Sequence, residues 1–83
     1  MKLIYFAWVR ERIGKEQEDV DLPENIQTVS DLLNWLKQQG EEYENALQHP
    51  DVIRVAINHE HVSHDETIIG AQEIALFPPM TGG

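Results

Sequence analysis

The chain has 83 residues with six Lys and Arg against fifteen Asp and Glu, a formal net charge of −9 at pH 7, and no cysteine. This length suits one small domain, and the absence of cysteine excludes a disulfide, a thiol nucleophile and a thiolate metal site, so any sulfur it handles comes from outside. The acidic excess argues against nucleic acid or an anionic membrane as a partner and favours a protein with a basic surface, although solubility alone would also account for it.

The N-terminal stretch, residues 2 to 9, predicts a central β-strand, because its aromatic and branched residues are apolar on both faces. Residues 10 to 14 then predict a short helical turn that ends at Gly14. The apolar stretch is too short to cross a membrane and has no cleavage site of a signal peptide after it, so we expect a cytoplasmic protein. The predicted faces of the strand are Leu3, Tyr5, Ala7 and Val9 against Ile4, Phe6 and Trp8.

The next part of the chain predicts an edge strand and two helices. Residues 15 to 22 are mostly charged, which is typical of a strand at the edge of a sheet. Thr28 followed by Asp31 is an N-cap pattern, and apolar residues follow at helical spacing, so we predict a helix over 28–39. Residues 41–47 predict a short second helix.

The C-terminal half predicts three more strands. Residues 53–57 alternate between apolar and polar or small, residues 58 to 62 predict a turn with a short return strand, and residues 73–77 are a last apolar strand. Residues 63 to 72 between them predict a loop. The expected anchors of this loop are Ile68 and Ile69.

This order of elements predicts an α+β domain, residues 1–77, followed by an extended tail, residues 78–83. If the first and last strands lie side by side at the centre, the chain between them crosses over through the helix, which is the β-grasp layout of a mixed sheet packed on one main helix.

One face of this sheet is predicted to stay uncovered, because a single helix shields only the other. An apolar patch of this size usually marks a partner site. The alternative is that the loop 63–72 or the second helix folds over it. The residues predicted under the helix are Leu3, Tyr5, Ile53, Val55, Ile57, Ile74 and Leu76. The residues predicted on the open face are Ile4, Phe6, Trp8, Ala56, Ala75 and Phe77.

The sequence ends with a tail that has an unusual composition. Two prolines after Phe77 stop the sheet, since they cannot donate to a ladder, and leave the chain extended. Six extended residues reach about 20 Å, and glycines without side chains can enter a channel too narrow for any other residue. A frayed terminus is the alternative. The tail residues are Pro78, Pro79, Met80, Thr81, Gly82 and Gly83.

Three histidines, His59, His61 and His64, are candidate metal ligands because they fall close together in the sequence. The segment reads as an exposed turn without a fourth well-placed ligand, and exposed imidazoles often bind metals incidentally. We therefore predict no metal site.

The sequence resembles the small subunit of molybdopterin synthase, the MoaD-type branch of the ubiquitin-like sulfur carriers. The ending Pro-Pro-x-Thr-Gly-Gly is the most specific part of the resemblance, which covers most of the chain. His61 departs from the family pattern, in which an apolar residue is common. The other matching segments are Tyr5-Phe6-Ala7, Val9-Arg10-Glu11, Thr28-Val29 with Leu32, and Ala56 through Ser63.

The resemblance implies that Gly83 is the reacting group. An activating enzyme similar to ubiquitin-activating enzymes adenylates its carboxylate with ATP, a sulfur donor converts it to a thiocarboxylate, and the sulfur goes to a cyclic pyranopterin precursor in the large subunit. It further implies that no cofactor is bound to the chain itself and that the chain is not catalytic alone. Gly82 and Thr81 give the tail access. The implied partner contacts are Phe6, Phe77, Arg10, Pro78, Pro79 and Met80.

Three other functions stay open at this point. The same fold could carry sulfur for another pathway such as thiazole synthesis, or could modify protein lysines as ubiquitin does. It could also be a noncovalent adaptor whose tail has no chemistry.

Overall fold

A computed structural model describes residues 1–79 of the chain. In it, one mixed five-stranded sheet has the order β2-β1-β5-β3-β4, and β1 and β5 are parallel neighbours at its centre. The other three pairings are antiparallel. The predicted α+β sheet with adjacent first and last strands is therefore confirmed. The elements are β1 (Lys2–Tyr5), α1 (Ala7–Ile13), β2 (Gln17–Asp19), α2 (Val29–Lys37), α3 (Glu41–Ala46), a 3-10 turn (Pro50–Val52), β3 (Arg54–Ile57), β4 (Glu60–Val62) and β5 (Glu73–Phe77).

The prediction of a strand up to residue 9 was wrong. The strand ends at Tyr5, Phe6 still donates its backbone N–H to the Leu76 carbonyl at 3.1 Å, and Ala7, with a φ of 52°, turns the chain into α1. Val9 and Ile13 lie four residues apart on one helical face, and both are buried. This helical burial outweighs the β-propensity of the segment.

Trp8 therefore does not lie on the open face of the sheet, as the strand prediction implied. It is half-buried against the core from α1, and the guanidinium carbon of Arg12 lies 4.4 Å from the centroid of its ring. The helix ends as predicted at Gly14, which has a φ of 84° and donates its N–H to the Arg10 carbonyl at 2.8 Å.

The main helix, α2, begins at the predicted cap. Thr28 Oγ1 accepts the N–H of Asp31, and Asp31 Oδ2 accepts the N–H of Thr28, each at 3.2 Å, which forms a capping box. The helix ends at Lys37, two residues earlier than predicted, and Gly40 caps the start of α3. The buried stripe of α2 is Val29, Leu32, Leu33 and Leu36.

The helices cover one face of the sheet with the side chains that the alternation predicts. Six of the seven residues predicted under the helix are no more than 1% exposed, and Ile57 is half-buried. The six are Leu3, Tyr5, Ile53, Val55, Ile74 and Leu76.

The loop from residue 63 to 72 is held against the start of α2. Val29 and Ser30 donate their N–H groups to the carbonyls of Glu66 and His64, at 3.0 and 2.9 Å. Ile68 anchors the loop and is 3% exposed, whereas Ile69 is 72% exposed and is not an anchor. In residues 1–79, no helix is long and apolar enough to cross a membrane.

Candidate functional site

The open face of the sheet carries a continuous apolar row that the strand register aligns. Ile4 pairs with Ala75, Ala75 pairs with Ala56, and Ala56 pairs with His61. Because residues paired across neighbouring strands point to the same face, this row crosses four strands from β1 to β4. A groove lies over this row, and within residues 1–79 neither the loop 63–72 nor the helices contribute a residue to its lining.

A groove with a volume of about 400 Å³ runs over this row. Most of its lining is apolar, and its most exposed large apolar side chain is Phe6, at 46%. An exposed aromatic in an apolar groove is typical of a surface that another protein covers. The lining residues are Ile4, Phe6, Ala56, His59, His61, Glu73, Ala75 and Phe77.

Phe6 and Phe77 line the same groove because β1 and β5 run parallel. The hydrogen bond from the Phe6 N–H to the Leu76 carbonyl fixes Phe6 beside the end of β5, where Phe77 is the last residue of the strand. Pro78 and Pro79 follow at once and are half-buried. The predicted docking contacts Phe6 and Phe77 are thus brought together at the point where the chain leaves the sheet.

The two arginines near this point differ in how they are placed. Arg54 pairs with Phe77 in the sheet register, so it lies on the open face beside the start of the tail, and it is exposed. Arg10, the predicted polar contact, is exposed on α1, and its backbone N–H donates to the Phe6 carbonyl at 3.3 Å. The sequence analysis missed Arg54, although its alternation with Val55 places it on the same face as Ala56.

The three histidines are divided between two places. His59 Nε2 lies 3.4 Å from Glu73 Oε2, and the ring centroid of His61 lies 5.1 Å from that of Phe77, so both are on the open face. His64 instead donates from Nε2 to the Ile53 carbonyl at 2.7 Å. Among residues 1–79, no three His, Asp or Glu side chains are grouped so that they could hold a metal ion.

The turn between β3 and β4 is tied to the start of β5. Asn58 and His59 have φ values of 48° and 75°, as in a two-residue hairpin turn of type I′. Asn58 Oδ1 accepts the N–H groups of Gln72 and Glu73, at 3.1 and 3.0 Å. These bonds fix the turn that carries the two open-face histidines.

A polar cluster that the sequence analysis missed lies at the other edge of the sheet. Glu18 Oε2 accepts hydrogen bonds from Tyr5 and Tyr43, at 2.7 and 2.6 Å, and Lys15 Nζ donates to Glu18 Oε1 at 3.2 Å. The mostly charged sequence of residues 15 to 22 predicts an edge strand, and β2 does lie at an edge of the sheet. The register of Leu3 with Glu18 places this one carboxylate on the core-facing side.

The cluster shifts the pKa values of its members in opposite directions. Burial, followed by the hydrogen bond and charge of Glu18, raises the pKa of Tyr5. Burial also acts to raise the pKa of Glu18, but the hydrogen bonds from Tyr43, Tyr5 and Lys15 outweigh it and hold that pKa below its ordinary value. The hydrogen bonds to Tyr43 and Glu18 raise the pKa of Lys15. The cluster therefore holds a carboxylate between two neutral phenols and an ammonium, and its polar groups satisfy one another.

A larger depression, with a volume of about 750 Å³, lies on the helical side of the molecule between α2 and α3. The smaller groove differs from it, because the smaller groove is mainly apolar and adjoins the strand that leads to the tail. The lining of the larger depression is Asn34, Lys37, Gln38, Gly40 and Glu44.

The predicted tail residues fall into two groups. Pro78 and Pro79 are described and follow β5 directly. The predicted reacting group Gly83, the access residues Gly82 and Thr81, and the contact Met80 lie outside the described residues.

The sheet order, the central parallel pair and the helices packed on one face define a β-grasp protein of the ubiquitin-like class. The ThiS family matches residues 3–83, and the chain belongs to this family.

Relatives that are similar over nearly their whole length support the assignment of the chain to this family. The chain is 36% identical over 84 residues to the molybdopterin synthase sulfur carrier subunit of Dictyostelium discoideum, with 99% of this chain and 94% of the relative covered. It is 34% identical over 85 residues to the protein of the same name from Escherichia coli, with 100% and 99% covered. Among solved structures, the small archaeal modifier protein 1 of Haloferax volcanii superposes with a TM-score of 0.69 at 30% identity, covering 96% of this chain and 97% of that one.

Proposed function

We propose that this protein is the sulfur carrier subunit of molybdopterin synthase. The observation that carries the proposal is the apolar groove formed by Phe6 and Phe77 at the base of a Pro-Pro-x-Thr-Gly-Gly tail. The near full-length similarity to two sulfur carrier subunits of that synthase supports it.

In the proposed reaction, Gly83 is the reacting residue. Its carboxylate attacks the α-phosphorus of ATP on an activating enzyme, and pyrophosphate leaves, because a free carboxylate is a poor electrophile and an acyl-adenylate has a good leaving group. A donor of sulfide-level sulfur then displaces AMP, which leaves a thiocarboxylate at Gly83. The thiocarboxylate sulfur forms a C–S bond to a side-chain carbon of cyclic pyranopterin monophosphate as a C–O bond at that carbon breaks. Water then cleaves the acyl C–S bond, which leaves the sulfur on the pterin and the carboxylate on Gly83, so two loaded chains supply the two sulfurs of one dithiolene.

The residues before Gly83 deliver it. Gly82 has no side chain, so the end of the chain can enter a narrow channel, and Thr81 and Met80 precede it in the sequence. Pro78 and Pro79 keep the chain from rejoining the sheet, since neither has an N–H to donate. The domain of residues 1–77 then positions the tail of residues 78–83.

The proposed partners are the large subunit of the synthase and an adenylating enzyme of the ubiquitin-activating type. The large subunit receives the groove on an apolar surface and the tail in a basic pocket, which suits a chain with a net charge of −9. The groups that bind phosphate and catalyse the transfer belong to the partners, so this chain binds no cofactor. We place the reaction in the cytoplasm, where ATP is available.

Within this assembly Phe6 and Phe77 are the central contacts. Aromatic side chains in a desolvated centre contribute most of the binding energy of an interface. Arg10 and Arg54 are the candidate polar contacts around them, and we favour Arg54 for the base of the tail because its register places it opposite Phe77.

Intact-mass analysis tests the covalent chemistry. The full chain is incubated with the activating enzyme, ATP and a sulfur donor, beside a chain that lacks Gly83. We expect the full chain to gain the mass of one oxygen-to-sulfur exchange and the shortened chain to gain none, while both bind the large subunit with similar affinity.

The large-subunit reaction gives the second readout. The loaded chain should form dithiolene product and return to its original mass. Full activity of the shortened chain would refute the role of Gly83, and failure of the full chain to gain sulfur while it still binds would support a noncovalent adaptor.

Protein modification is the second candidate, and the similarity to the small archaeal modifier protein 1 favours it over the remaining alternatives. A modifier would be found joined to lysines of other proteins through an isopeptide bond, whereas a sulfur donor regenerates its free carboxylate. Mass analysis of tryptic digests separates the two functions, because a modified lysine would carry the C-terminal peptide of residues 55–83, which trypsin leaves intact after its last cleavage at Arg54.

A further inference from the structure

We propose that His61 is a specificity-determining residue of the docking surface. The side chain continues the apolar surface only while its imidazole is neutral. Docking therefore favours the neutral form of His61 and a partner whose contacting surface is apolar and uncharged. This inference rests on the proposed function, because the partner used to test it is the large subunit of molybdopterin synthase.

The geometry places His61 in the docking surface. Its ring packs against Phe77 with the centroids 5.1 Å apart and the planes tilted by 54°. In the sheet register it continues the row formed by Ala56, Ala75 and Ile4, and it lines the same groove as Phe6. A partner that covers Phe77 must therefore also cover one face of the His61 ring.

The position of His61 lets a neutral ring be covered at low cost. Residues Glu60–Val62 form the edge strand of the sheet, and the side chain is exposed. The ring face can pack under the partner while the ring nitrogens stay near solvent at the rim.

Among residues 1–79, no carboxylate forms an ion pair with the His61 imidazole. Glu73, a carboxylate on the open face, lies beside His59 at 3.4 Å. Arg54 on β3 adds a positive charge to the same face, next to Phe77. Glu60 on the same strand pairs with Ile57 and so points to the opposite face. The charged or titratable groups on the open face around His61 are Lys2 from β1, Arg54 from β3, Glu73 from β5 and His59 from the turn.

Docking therefore selects the neutral ring. The charge of an imidazolium is spread over the whole ring, so covering one face of the ring with an apolar surface costs the charged form more free energy than the neutral form. Imidazoles change charge between about pH 5 and 8, so the proton is released as the partner binds, and affinity falls as the pH is lowered.

The test is calorimetric titration of the large subunit with the full chain at about pH 8 and about pH 5.5. We expect the dissociation constant of the wild-type chain to rise about tenfold between the two values. For His61→Leu, whose side chain is apolar at both pH values, we expect the rise to be about twofold or less. Circular dichroism at both pH values checks that each chain is folded.

His49→Gln is the matched control. It removes an imidazole that is exposed at the start of the 3-10 turn and does not line the groove. We expect this variant to keep the wild-type rise in the dissociation constant.

The outcomes separate this inference from the proposed function. If wild type and His61→Leu change equally with pH, or if wild type binds more tightly at the lower pH, the inference about His61 is wrong while the carrier function stands. If the wild-type chain fails to bind the large subunit at either pH, the proposed function itself fails.

Discussion

The two faces of the sheet show how neighbouring residues of one strand can have different roles. Leu76 is fully buried under the helices, whereas the next residue, Phe77, lines the open groove. Tyr5 and Phe6 differ in the same way, at 0% and 46% exposed. The chain supplies enough helix to close one face, and the apolar residues of the other remain available to a partner.

This difference between the two faces predicts that substitutions on them impair different properties of the protein. A change under the helices should lower the free energy of unfolding, and a change in the groove should lower affinity while the domain stays folded. The predictions that follow test that separation.

The largest effect is expected from Leu76→Ala. Removing a fully buried leucine leaves a cavity and should reduce the free energy of unfolding by about 3 kcal/mol. Urea denaturation followed by circular dichroism measures this loss. An equal loss of stability in Phe77→Ala would contradict the distinction between the two faces.

Phe77→Ala should instead weaken binding of the large subunit by about 2 kcal/mol, which is about a thirtyfold rise in the dissociation constant. Its free energy of unfolding should change by less than about 1 kcal/mol, because the side chain is only partly buried.

Ile69→Ala is the control for that measurement. Ile69 is 72% exposed, lies in the loop after β4 and does not line the groove. Its affinity for the large subunit should match that of wild type, and a loss similar to that of Phe77→Ala would move the interface away from the open face.

The polar cluster around Glu18, at the β2 edge of the sheet, allows a test of the helix-covered face in which a charge is removed. Glu18→Gln removes the carboxylate that accepts from Tyr5 and Tyr43 and pairs with Lys15. We expect a loss of about 1 kcal/mol in the free energy of unfolding at neutral pH, since Glu18 is partly open to solvent and water screens the ion pair. Affinity for the large subunit should not change.

The pH dependence of stability follows from the same residue. The pKa of Glu18 is lowered in the folded state from an ordinary value of 4.5, so its contribution is present above that value and is lost as the pH falls through the folded pKa. Wild type should therefore lose more stability than Glu18→Gln when the pH is lowered below about 4.5. Equal slopes in acid would contradict the assignment of the cluster.

Alternation and capping in the sequence were enough to predict most of the fold. The pattern of residues 53–57 and 73–77 identified both faces correctly, and Thr28 with Asp31 identified the start of the main helix. The end of β1 could not be predicted from propensity, because the turn at Ala7 depends on the bond between Phe6 and Leu76 that forms only in the folded sheet.

The site shows the same contrast between local pattern and tertiary contact. Alternation placed Phe6 and Phe77 among the six residues predicted on the open face, and the resemblance to the sulfur carriers singled them out as docking contacts. The contact of His61 with Phe77 and the closeness of Tyr43 to Glu18 depend on how distant segments pack. No local sequence pattern predicts the contact between Tyr43 and Glu18, since the two residues lie 25 positions apart.

The smallest predicted effect concerns the turn at the edge of the open face. His59 has a φ of 75°, in the left-handed region that costs a non-glycine residue free energy, and glycine is the preferred residue at this place of a type I′ turn. His59→Gly should raise the free energy of unfolding by about 0.5 kcal/mol, because the removal of backbone strain outweighs the loss of an exposed contact with Glu73.

Asn58→Gly, which removes the acceptor for the Gln72 and Glu73 N–H groups, should lower the free energy of unfolding instead. If both variants shift the urea midpoint in the same direction, the turn geometry does not set the stability of this hairpin. If they differ as expected, the turn beside the docking surface retains a histidine at a measurable cost in stability.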